Sequence, residues 1–286
     1  MKHRKGLFLS LVAVASLAGW LVSPAALRAQ AADKVSAAKD LESSYAEDLD
    51  LTKNEFKSET KAGAVFSTGN TKSFLVDGTS FTLYRIKRFE NKFSLGAYFN
   101  RVSSSVANPG LVGTIANYIY GFYRLDYYFL PLTTVYVGGG GYVDEVKGID
   151  LAGVGFLGVS HYFFRKPKYS LNVSLGYDYT FEDRIFPNPD VSIHAVAFGL
   201  NYQQQFNDHV GFGQKIKLLE NGGNGRDLRL YTDTELKLGM TKHLAIVLGF
   251  HTRFDNEPVP GFKKLDTISD VSLALTFGGN PAKTCP

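Results

Sequence analysis

Cysteine is nearly missing from this chain of 286 residues, with Cys285 standing alone close to the C-terminus. No intramolecular disulfide can form, and the thiol lies far from the N-terminal position that lipidation of a bacterial lipoprotein needs. Histidine is scarce too. His3 belongs to the leading segment, and the other five of the six histidines show no close ligand spacing of the zinc type. The run Gly138–Gly141 lacks the following Lys and helix start of a phosphate loop, and glycine in mid-strand more often marks a bend or bulge. Catalytic, cofactor and metal residues are therefore expected to be none. Beyond Val22 no stretch is long and apolar enough for a helical span.

The start of the chain has a different character. Lys2, Arg4 and Lys5 form a basic patch, Gly6 to Val22 is apolar, and Ala29, Gln30 and Ala31 supply the small-residue spacing of a cleavage site. Residues 1–31 are expected to be a secretory signal peptide. Their removal takes Lys2, Arg4, Lys5 and Arg28 with them, so the formal charge falls from +4 to 0. That balance gives no case for nucleic-acid binding. In residues 32–53, Val35, Ala38, Leu41, Tyr45 and Leu49 recur at three- and four-residue steps, which predicts a short periplasmic leader, helical at least part of the time.

From residue 54 onward one pattern dominates: ten to fifteen residues alternating bulky apolar with small or polar, then a turn. This is the signature of a transmembrane β-barrel, because a sheet crossing a bilayer must close to pair all its backbone groups. Period-two reading places twelve strands near 54–67, 72–87, 91–103, 113–130, 132–144, 149–164, 167–182, 190–206, 209–220, 225–240, 243–255 and 264–277, with a tail at 278–286. In the seventh, Tyr169, Leu171, Val173, Leu175, Tyr177, Tyr179 and Phe181 alternate with Ser170, Asn172, Ser174, Gly176, Asp178, Thr180 and Glu182. One set suits lipid and the other a wet lumen.

Connection lengths alternate as well. Short turns are expected around Glu90-Asn91, Leu130-Pro131, Lys166-Pro167, Asn207-Asp208 and Thr241-Lys242, with longer Gly- and Pro-rich loops between them. Short periplasmic turns, long external loops and an even strand count put both termini in the periplasm. Tyr127, Phe129, Tyr162, Phe163, Phe164 and Tyr169 fall where a periplasmic aromatic girdle belongs. The final Val271, Leu273, Leu275, Phe277 alternation resembles the assembly signal of bacterial outer-membrane proteins, although nine residues follow it.

Three stretches also resemble a known family. They are Ala62 to Thr71 with its Ser-Thr-Gly-Asn-Thr turn, Tyr118 to Phe129, and the Gly-rich Tyr136–Tyr142. Together they are similar to domain-of-unknown-function family 481, whose members are often labelled putative salt-induced outer-membrane proteins. The resemblance implies a Gram-negative outer-membrane barrel, with outer-membrane lipid and the barrel-assembly machinery as partners. It carries no substrate or catalytic residue.

Charges on the lipid face cost about 2–4 kcal/mol for Lys or Arg at midplane. The candidate lumen-lining residues are therefore Arg124 and Asp126 on the fourth strand, Asp178 on the seventh, Lys215 and Lys217 on the ninth, Arg229, Asp233, Glu235 and Lys237 on the tenth, and His251 and Arg253 on the eleventh. Asp233 is expected near His251 or Arg253. Mixed signs leave two readings open: a narrow pore passing small polar or ionic solutes, or a lumen filled by mutually neutralising salt bridges. A passive channel or envelope-structure protein heads the functional readings, ahead of a closed binding or adhesion barrel using its external loops. A remote alternative is a lipid hydrolase, with Ser192 and His194 on the outer face and Glu220 brought beside His194.

Overall fold

The computed structural model describes residues 50–67, 71–105, 113–144, 149–166, 168–184, 189–257 and 264–278. The expected signal at 1–31, most of the leader at 32–53 and the tail beyond residue 278 lie outside them. Twelve strands follow one another: β1 Glu55–Ser67, β2 Thr71–Ile86, β3 Phe89–Ser105, β4 Gly113–Leu130, β5 Thr133–Asp144, β6 Ile149–Lys166, β7 Tyr169–Arg184, β8 Val191–Gln205, β9 Val210–Asn221, β10 Leu228–Gly239, β11 Leu244–Asp255 and β12 Leu265–Gly278. Each pairs antiparallel with the next, and β12 returns to β1, closing an antiparallel β-barrel. The fold class is all-β.

Period two decides which way each side chain faces. On β7, Ser174, Asp178 and Glu182 are buried, while Leu175, Tyr177, Tyr179 and Phe181 are exposed. On β11, Ala245 and Val247 are buried opposite exposed Leu248 and Phe250. Polar and small residues thus turn inward, and the outer wall is a belt of Leu, Val, Phe and Tyr, with Leu175 60% exposed.

Closure is short. β1 and β12 share seven residue pairs, from Lys57↔Gly278 to Gly63↔Ser272, whereas each of the other ladders has eleven or more. This seam also puts the start of β1 and the end of β12 at the end of the barrel that carries the short turns.

Three expectations need correction. The first short turn is at Lys87-Arg88, where Ile86 pairs with Phe89 and Lys87 takes φ 52°; Glu90 and Asn91 already belong to β3. The four glycines of β5 sit in regular register, and the irregularity comes after them, between Tyr142 and Asp144. On β6 the alternation that buries Phe156 and Ser160 also buries Tyr162 and turns Phe163 out, and a bulge then shifts the register between Tyr162 and Phe164. Tyr162 therefore leaves the expected girdle. The same extra residue reverses the alternation beyond it and turns Arg165 inward.

Candidate functional site

The barrel interior has two unlike halves. Across β2–β6 it is packed. Phe81, Leu83, Tyr98, Tyr118, Tyr120, Phe122, Tyr136 and Phe156 form one buried cluster, with Tyr98 and Tyr118 rings 5.8 Å apart and Tyr118 and Tyr120 5.5 Å apart. Inward glycines let these rings lie close to the wall. A Cβ on Gly96 would stand 2.3 Å from the Tyr120 ring, and one on Gly138 2.4 Å from Phe156.

Toward the short-turn end, the aromatic cluster gives way to ions. Arg124 stacks 3.7 Å over the Tyr136 ring and donates to Asp126 at 2.6 and 2.9 Å. Lys92 lies 3.2 Å from Asp126 and 3.0 Å from Glu90. Glu90 also meets Arg165 at 3.4 Å, and Tyr128 donates to it at 3.2 Å. Arg165 itself donates to the Tyr128 hydroxyl. Glu90 is 0% and Lys92 2% exposed, so this side of the interior is dry. Neutralisation is what makes such burial tolerable, since an isolated buried charge costs several kcal/mol, about 3–5 when a partner is removed.

The other half, from β7 round to β1, is polar and wetter. Lys217 donates to Asp178 at 2.6 Å, reaching past the small Ala195 and Ala197 of β8. Asp233 accepts from His251 Nδ1 at 2.6 Å and from Arg253 at 2.8 Å, while His251 Nε2 meets Asp270 at 2.7 Å. Arg229 bonds Asp227 at 2.9 Å. Lys61 donates to both oxygens of Glu235 at 2.9 Å, and Lys237 donates to Glu59. These last pairs join β1 to β10 across the interior, over β11 and β12. Lys61, Glu235 and Lys237 keep side-chain exposures of 21%, 29% and 38%.

The structure therefore divides the eleven residues singled out from the sequence. Arg124 and Asp126 lie in the sealed cluster. Asp178 and Lys217 are a buried pair, and Asp233, His251 and Arg253 form one network. Lys215, opposite Asp233 on the neighbouring strand, Arg229, Glu235 and Lys237 stand on the wetter wall. Glu182, on the lumenal face expected for the seventh strand, joins these networks, and Glu59, Lys61, Arg85, Glu90, Lys92, Arg165 and Asp270 belong to them without having been singled out from the sequence. Alternation on β3 finds Glu90 and Lys92 once the turn is placed three residues earlier, at Lys87-Arg88.

On the outer face, Ser192 and His194 do not combine with Glu220. Glu220 pairs with Val196, one outward position beyond His194. His194 Nδ1 meets the Tyr177 hydroxyl at 2.5 Å, and Ser192 meets the Tyr179 hydroxyl at 3.4 Å. Cross-strand tyrosines on β7 thus occupy the polar atoms that a hydrolytic arrangement would need to link.

A family model described as a protein of unknown function, DUF481, matches residues 60–277. The chain belongs to that family. No curated protein is similar to this DUF481 chain in sequence. Solved structures similar to it include the NanC porin, at 8% identity over 77% of this chain and 97% of that one, TM-score 0.45. An outer membrane channel of Pseudomonas putida F1 is similar at 11% identity over 82% and 99%, TM-score 0.47. The KdgM porin is similar at 8% over 78% and 99%, TM-score 0.42. At such identity the likeness concerns fold alone.

Proposed function

We propose that the DUF481 chain is exported by its N-terminal signal and acts in the bacterial outer membrane as a narrow passive channel for small polar or ionic solutes. Both termini and the short turns face the periplasm. The outer wall supports the membrane setting: most of its strands expose large apolar side chains outward, far beyond the patches of a few hundred Å² that soluble monomers tolerate. The observation that carries the channel reading is the contrast between the two inner halves. Mid-barrel charges on β1 and β10 retain contact with solvent, which a wholly filled lumen would deny them.

The packed Tyr98–Tyr118–Tyr120 side favours a second reading, in which the lumen stays closed and the long loops bind a ligand. Planar-bilayer recording separates the two. Discrete openings from the purified, folded barrel support the channel; a silent but correctly folded barrel supports the binding reading.

A further inference from the structure

β11 and β12 present a floor of small side chains to the interior. Ala245, Val247 and Ala274 are buried together, and Ser272 is buried beside them. The strands that flank this floor are β10 and β1, and their side chains meet above it. Lys61 of β1 holds both oxygens of Glu235, and Lys237 of β10 holds Glu59. Lys61 also stands 3.8 Å from Glu59, and Thr276 of β12 donates to Glu59 at 3.2 Å. The two lysines and two acids thus form one continuous, charge-balanced span. Large residues at 245 or 274 would occupy the space beneath it. Alanine there lets the span lie across the chord.

The span also meets the shortest ladder of the barrel, tying β1 to the β10–β11–β12 side where seven residue pairs close the wall. Its four side chains are covered from below and wet from above. They narrow the wetter half of the interior, where Lys61, Glu235 and Lys237 keep contact with solvent.

We propose that Glu59, Lys61, Glu235 and Lys237 are the constriction that sets the bore and ionic preference of the barrel, passing small ions of either sign while the quartet stays balanced. This rests on the channel reading and names the residues that tune it. Two acids facing two lysines give little net field. Removing one sign leaves the other to select, as rings of charged side chains do.

The test is reversal potential in a salt gradient across planar bilayers, using the folded barrel and two double variants. Glu59→Gln with Glu235→Gln should move preference toward anions, and Lys61→Met with Lys237→Met toward cations. A purely structural role would not shift the two in opposite directions. A quartet with all four charges exchanged, Glu59→Lys, Lys61→Glu, Glu235→Lys and Lys237→Glu, keeps both pairs and guards against loss of folding; it should return preference to near the wild-type value. If the wild type conducts and neither double variant shifts, the constriction is wrong and the channel reading stands. If the wild type is silent and a double variant conducts, the constriction stands as a closed gate and the open-channel reading falls. Silence from every correctly folded form overturns both.

Discussion

Asp233 and His251 face each other across β10 and β11, with Oδ1 and Nδ1 2.6 Å apart, and the same carboxylate oxygen accepts from Arg253 at 2.8 Å. One acid thus serves two basic side chains on the neighbouring strand. Asp233→Ala removes it from a buried network and should cost about 3–5 kcal/mol. Asp233→Asn keeps the volume and one acceptor, so it should cost less. The temperature at which the barrel loses its fast-migrating folded form on gels measures both. Equal stability of Asp233→Ala and wild type would contradict the role.

Glu90 offers a comparison from the dry half. It lies within 4 Å of Arg85, Lys92 and Arg165. Glu90→Ala should destabilise the barrel by about 3–5 kcal/mol. Because the cluster is sealed from the wetter wall, ionic preference of the barrel that does fold should stay unchanged, in contrast to the Glu59 and Glu235 variants. A selectivity shift in Glu90→Ala would place the solute path on the wrong side.

Glycine positions test the flat-ring packing. A methyl on Gly96 would run into the Tyr120 ring, whereas one on Gly153 meets nothing within 4 Å. Gly96→Ala should therefore lower stability by about 1–3 kcal/mol through overpacking, with Gly153→Ala close to neutral. Thermal unfolding of the two variants decides the matter, and equal effects would mean that the rings do not lie as described.

Before β1, Asp50 accepts from the hydroxyl and backbone N–H of Thr52 at 2.6 and 3.0 Å, with Lys53 3.2 Å away. The Thr52 hydroxyl bond leads in holding its carboxyl down to about 2. A depressed folded value means that its contribution to stability is present above the unfolded pKa and is lost as pH falls through about 2. Thr52→Ala should move the carboxyl up toward the ordinary range, read from its carbon chemical shift during an acid titration. No movement would show that the turn does not hold it.

Strand-level structure was largely legible because β6, β7 and β11 contrast bulky apolar with small or polar residues at every second position. The contrast fails at particular places for physical reasons. Lys87-Arg88 has none of the usual turn residues, whereas the nearby Asn91 is one, so composition points to the wrong place. The Phe163 bulge reverses the alternation, which alone would aim Arg165 outward. On β1 the outward Ser58, Thr60 and Ala62 are as small or polar as a lumenal face, which hid Glu59 and Lys61. Pairing across the interior leaves no trace in period two: Lys61 and Glu235 are 174 positions apart. The local faces and the neighbouring-strand meeting of Asp233 with His251 and Arg253 could be read from the sequence, but not which charges would meet across the interior or which half would stay wet.

Cysteine labelling on β10 tests the central claim most directly, namely that a closed barrel keeps its charges on a water-reached inner face. In a Cys285→Ser background, Glu235→Cys and Leu236→Cys are compared in intact outer membranes. A small water-soluble thiol reagent should modify position 235 faster than 236, and a lipid-dissolved probe should reverse that order. The opposite order would shift the strand by one residue and put Asp233, Glu235 and Lys237 against lipid, contradicting the account.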